Sequence, residues 1–177
     1  MRAGLLSHKL IVQKPTETQD SGGEPDVAWS EFDQVWGSRE DASGSESESG
    51  GVLTERKVNI EIHHRAGITE KMRILARSEH TTLNGSINNS VTSITVASAA
   101  ALPLEGEYRI LIESELMAVT GGQGTTSLTV TRGVDGTSGA SHADAKSVHR
   151  MDVIDVESVT DPKGKRRDML IAGVVHG

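Results

Sequence analysis

The chain contains no cysteine. That removes disulfides, thiolate metal sites and a cysteine nucleophile together, and it fits a reducing compartment. Aromatic residues are almost missing as well: Trp29, Phe32, Trp36 and Tyr108 are all that 177 residues supply. Val, Ile, Leu and Met must therefore fill the core, and Trp29 and Trp36 read first as core anchors. No run of about 18 apolar residues is present to form a membrane helix. The opening MRAGLLSHKL lacks the apolar stretch of a secretory signal, so a soluble chain used without processing is expected. Positive charge is scarce too. The formal net charge is -7, and no segment has the dense basic footprint of a protein that grips nucleic acid.

The longest local deficit is of apolar side chains. From Gly37 to Gly51 the sequence GSREDASGSESESGG holds no Val, Ile, Leu, Met, Phe, Tyr or Trp. Such a composition buries too little apolar surface to offset the entropy of ordering it. The sequence predicts a long polar loop over 37–56, between a strand ending at Trp36 and another opening near Val58. Loops of this length inside a compact domain are uncommon and more often functional than not.

What is present is mostly period two. KVNIEIHH places Val58, Ile60, Ile62 and His64 on one face and Lys57, Asn59, Glu61 and His63 on the other, the pattern of a half-buried strand. KMRILARS alternates Met72, Ile74 and Ala76 with Arg73 and Arg77, and SHKLIVQK puts Leu10 and Val12 in phase. MDVIDVESV and DMLIAGVV flank DPKGK, where Pro162 and Gly164 suit a tight turn, so a hairpin is expected there. No stretch keeps a helical period; ASAAALP, 97–103, reads as one helical turn ended by Pro103. The fold class expected is mainly β.

Between Arg77 and Val148 the texture shifts to Thr, Ser, Gly and Ala, with the strand-forming runs SITVA, YRILIESELMAV and SLTVTR. This reads as a small all-β domain over 81–147 inserted into another. The flanks, 1–80 and 148–177, then form one small β-barrel-like base domain from two chain segments, since neither has enough strands to close a core alone.

The flanks carry an ordered set of features: Gly4, Leu5, His8, Leu10 and Val12; Gly23, Trp29, Val35 and Trp36; Val58, Ile60 and Ile62; Gly67, Ile68, Met72, Arg73 and Ile74; then Val156, Val159, Asp161, Gly164, Lys165, Arg166 and Arg167. In order and spacing they resemble the head-closure, or head-tail joining, proteins of tailed bacteriophages. The insert resembles a small β domain of phage structural proteins, and the plain family pattern lacks it. The resemblance implies a non-enzymatic virion neck protein, a stopper ring without cofactors. Its implied partners are a portal or adaptor ring, a tail terminator or tail tube protein, further copies of itself, and packaged double-stranded DNA in the channel; no membrane is involved. It also implies a place for the polar loop, facing the bore, with Glu40, Asp41, Glu46, Glu48 and Glu55 repelling phosphates. Composition alone favours a hydrated surface loop.

The remaining candidates are weaker. Lys163, Lys165, Arg166 and Arg167 form the one basic cluster: a solvated turn, or a contact with an acidic neighbour or with DNA. His63 and His64 are adjacent in a strand and cannot chelate one metal; His64 reads as a core histidine. His142 and Asp144 lie two apart, without the further ligands that zinc needs. GGQGTT lacks the Gly-Lys-Ser/Thr of a phosphate loop, and TRGVDGTSG reads as turns. No catalytic constellation presents itself. A second function class remains open, a virion-associated module whose insert recognises a capsid partner or a host surface glycan. Sugar recognition calls for exposed aromatics, and the insert offers only Tyr108.

Overall fold

The computed structural model describes residues 6–19, 25–41 and 56–176, and among them there is no helix. The strands are β1 (His8–Gln19), β2 (Pro25–Asp41), β3 (Arg56–His63), β4 (Arg73–Thr82), β5 (Ser93–Thr95), β6 (Tyr108–Ile112), β7 (Glu115–Gly121), β8 (Ser127–Thr131), β9 (Ser147–Thr160) and β10 (Asp168–His176). Their order is β10-β3-β2-β1-β4-β9-β6-β7-β8-β5, and β10 pairs with β9 as well. The expectation of a mainly β protein holds.

Two compact units emerge. One comprises 1–15, 31–76 and 153–176; the other comprises 16–30 and 77–152. The boundaries fall inside β1, β2, β4 and β9, so the second unit takes in residues 16–30 in addition to the stretch expected as an insert.

In the first unit, β10, β3, β2, β1, β4 and β9 return on themselves through the β9–β10 pair. A sheet that closes leaves no long open edge for unwanted strand pairing. Period two decides what lies inside. Leu10 and Val12 pair with Ala76 and Ile74. They share one core with Val35, Val58, Ile60, Ile62, Ile154, Val156, Met169 and Ile171. Each such side chain contributes about 1.5–3 kcal/mol by leaving water. Met72 packs against this core, as its phase with Ile74 predicts. Gly37 lies where β2 crosses the core at close quarters. A Cβ there would sit 2.7 Å from Leu10 Cδ1 and 2.9 Å from Ile62 Cγ2, nearer than carbon atoms pack.

Three sequence expectations change here. β2 does not end at Trp36; it continues to Asp41, with Gly37 to Asp41 paired to Ile62 to Val58 of β3. Backbone pairing overrides a sequence with little strand propensity, and residues 37–41 are strand rather than loop. β3 stops at His63, so His64 falls beyond it and is half-buried rather than a core histidine. Trp36 is 57% exposed: Val35 and Gly37 face inward, so the side chain between them must face out.

The second unit has its own core of Leu83, Ile94, Val96, Leu102, Tyr108, Ile110, Ile112, Met117, Val119, Leu128, Val130 and Val148. YRILIESELMAV is not one strand but a hairpin. Ile112 pairs with Glu115, and Glu113 takes the turn at φ 54. β7 pairs with β8 and β8 with β5. A bridge from Leu83 to Val96 closes the set. Leu83 also meets the returning chain, its N–H donating to Lys146 O at 2.9 Å and its carbonyl accepting from Ala145 N at 3.2 Å. The turn expected over 97–103 shrinks to a single bond, Leu102 N to Ala99 O at 3.0 Å.

Candidate functional site

Of the five acidic residues expected to line a bore, the structure places two. Glu40 and Asp41 are exposed at the end of β2, cross-strand from Asn59 and Val58. Asp41 accepts from Arg39 Nε at 3.3 Å. Glu46, Glu48 and Glu55 lie outside the described residues. The described residues on either side of the rest of the polar stretch, Asp41 and Arg56, stand on two neighbouring strands.

The basic turn between β9 and β10 is organised around one carboxylate. Asp161 Oδ2 accepts from Arg166 N at 2.7 Å and Oδ1 from Lys163 N at 3.2 Å. Its own carbonyl accepts from Gly164 N at 3.2 Å. Gly164 at φ 61 and Arg166 at φ 50 let the chain wrap inward, Gly at little steric cost. The Arg166 N–H, followed by neighbouring amides, holds the Asp161 carboxyl below its usual range despite partial desolvation. Lys163, Lys165, Arg166 and Arg167 are all exposed. With the amides of Lys163, Gly164 and Arg166 occupied by Asp161, the tip presents these four side chains outward.

Trp36 stands on the outer face of the first unit. Phe32 and Leu170 on the same side are 38% and 37% exposed. Leu170 and Ser38 flank Glu61 across β10, β3 and β2. His63 pairs with Asp168 at 3.5 Å, and His63 and His64 are not brought together as ligands.

Residues 1–80 match the phage head completion protein family. The resemblance to head-closure proteins is thereby supported for the first part of the chain. The match ends inside β4, two residues before its last, and no curated protein was found to match the chain. No helix among the described residues is long and apolar enough to cross a membrane.

Beyond the matched residues, the second unit holds a cluster that the sequence did not reveal. Glu115 is buried, and Arg132 grips it with both arms, Nε to Oε1 at 2.7 Å and Nη2 to Oε2 at 2.8 Å. The remaining Arg132 donors go to the carbonyls of Asn88, Val91 and Ala140. Glu115 also accepts from Gly133 N and Ala140 N. His142 bridges two acids, Nε2 to Glu115 at 2.9 Å and Nδ1 to Glu113 at 2.8 Å. Lys146 reaches Glu113 at 2.6 Å. Burial pushes the Glu115 carboxyl up, but Arg132, Ala140 N–H and His142 outweigh it and hold the pKa at about 2. Lys146 and then His142 hold Glu113 low.

This cluster is a structural brace rather than a reaction centre. All five guanidinium donors are occupied, both ring nitrogens of His142 are engaged, and among the described residues no group of acids and histidines could hold a metal. Asp144 does not join His142; its Oδ1 accepts from Gly85 N at 2.6 Å. An open cleft of about 720 Å³ lies alongside, lined by Asn, Ser and Thr side chains and His142. The aromatic that sugar stacking would need is not there. Tyr108 is buried, and burial, only partly offset by Arg150, pushes its hydroxyl up to about 12.

Proposed function

We propose that this chain is a head-closure protein of the virion neck. It forms a ring that joins the portal or adaptor to the tail terminator or tail tube and helps retain packaged double-stranded DNA. The observation that carries the reading is the match of residues 1–80 to the phage head completion protein family. The finer assignment, a stopper, draws on charge. Exposed Glu40 and Asp41 open a stretch that continues in sequence through Glu46, Glu48 and Glu55. Repeated around a ring, these acids form an anionic wall that repels phosphates, so DNA passes without adhering.

The test is made in packaged particles. A chain shortened between Asp41 and Arg56 loses no described core residue, and loop length itself has only a small effect on stability. It should dock in the neck and leak DNA. Replacing Glu40, Asp41, Glu46 and Glu48 with Lys should slow ejection most at low salt, because a cationic wall exchanges counterions for phosphates. If both variants dock, retain and eject DNA like the parent, the stretch does not act on DNA. If the parent protein is absent from the neck, the head-closure reading itself fails.

A further inference from the structure

The chain spends its few aromatics in an unusual way. Phe32 and Trp36 both lie on β2 of the first unit and both are exposed. β2 sits inside a closed strand circuit with β3 on one side and β1 on the other. A partner therefore cannot add a strand there, and any contact must be made by side chains. Around Trp36 the outer face offers Gln34, whose Nε2 donates to Glu31 Oε2 at 2.9 Å. It also offers Glu61 and, beside that, Leu170. Two strand spacings, about 10 Å, separate β2 from β10. Glu31 and Glu61 make no ion pair among the described residues.

The same unit carries the opposite surface. Lys163, Lys165 and Arg166 are exposed and make no ion pair among the described residues, and Asp161 fixes the backbone that presents them. A rigid cationic tip and an aromatic face flanked by carboxylates that make no ion pair among the described residues suit each other. A cation seats over an indole ring while neighbouring acids pair with the others. The tip of the same chain does not cover its own Trp36, which remains 57% exposed.

We propose that the outer face of β2, β3 and β10, centred on Trp36, receives the 163–167 tip of a second copy of this chain. Two different patches meet in such a contact, so it runs head to tail and propagates into a ring when the rotation closes. The inference rests on the ring reading given above and supplies the surface by which one copy recognises the next.

The absence of cysteine makes a direct test simple. Leu170→Cys and Lys163→Cys are made in separate chains, one carrying a size tag, and mixed at high concentration in low salt and in assembled particles. Disulfides should form between unlike chains in preference to like ones. Adding Trp36→Ser to the Leu170→Cys chain should lower the unlike-chain yield roughly tenfold, as expected for loss of one desolvated cation–aromatic contact. Lys165→Glu with Arg166→Glu in the other chain should also lower the yield, and Glu31→Lys with Glu61→Lys in the first chain should restore it. Unfolding curves for each variant control for misfolding, since every substituted position is exposed or half-buried.

Predominantly like-with-like disulfides, or yields insensitive to Trp36→Ser, overturn the proposal. So does a tip reversal that weakens salt-dependent DNA binding and leaves cross-linking unchanged, which would assign the tip to phosphates. Protein present in necks without unlike-chain disulfides refutes this contact and leaves the head-closure reading standing. Unlike-chain disulfides from a protein missing from necks would do the reverse.

Discussion

Replacing Arg132 by Met is the most informative single change in the second unit. The methionine keeps much of the side-chain volume but withdraws the fork that holds Glu115, whose side chain is fully buried. Removing one partner of a buried pair costs about 3–5 kcal/mol, because the other charge is left uncompensated. Total domain stabilities are about 5–15 kcal/mol, so the variant should unfold at a much lower denaturant concentration. Acidity gives an independent measure. The Glu115 pKa falls from the ordinary 4.5 to about 2 on folding. A depressed carboxyl contributes stability that is present above 4.5 and is lost as pH drops towards 2. A gap of this size corresponds to roughly 3 kcal/mol. Glu115→Gln should be less stable at pH 7 and should lack that part of the acid dependence. Trp29 belongs to the second unit and Trp36 to the first. Urea titrations of a Trp36→Phe background, followed by Trp29 fluorescence at pH 7 and pH 3, therefore report on the second unit. A loss below about 1 kcal/mol for Arg132→Met, the level of an exposed ion pair, would refute the brace. An unchanged acid slope in Glu115→Gln would refute the assignment of the low pKa.

Other outcomes follow from single features. Gly37→Ala should destabilise the first unit by about 1–3 kcal/mol through overpacking against Leu10 and Ile62, read by chemical denaturation. Asp161→Asn should speed amide exchange at residues 163–166. In the parent the same loosening should appear only as pH falls below the usual carboxyl range, because the folded-state pKa is depressed. Deleting 82–147 and joining the ends by a short Gly-Ser linker removes no member of the first unit's core. The product should be soluble and unfold cooperatively, with Trp29 and Ser30 more open to solvent because Gly136, which they approach, belongs to the deleted segment.

Strands were legible wherever one face is apolar, because alternation survives as a pattern in Leu10 and Val12, in Val58 to Ile62 and in Ile74 and Ala76. The same alternation placed Trp36 outward, between Val35 and Gly37, yet the scarcity of aromatics argued the other way and misled. Residues 37–41 carry no apolar signal. Their strand exists because β3, some twenty residues on, supplies hydrogen-bond partners, and composition cannot express pairing. Glu115 and Arg132 were hidden for a related reason. Their burial depends on β7 turning back at Glu113 and on the 133–140 segment folding over them, and neither residue differs in sequence from a solvated charge. The basic tip was visible as a cluster, whereas its wiring through Asp161 required coordinates.

At the base of the second unit, Leu83 and the 145–146 segment are hydrogen-bonded to each other. The chain thus leaves and returns at almost one point, so whatever lies between is tethered like a ring on a clasp. The clasp requires only that a guest's own termini meet. The residues between Leu83 and Ala145 can then be exchanged for a domain whose ends meet, at the expense of the contact that Gly136 makes with Trp29 and Ser30, which makes this position a natural graft point for displaying foreign sequences.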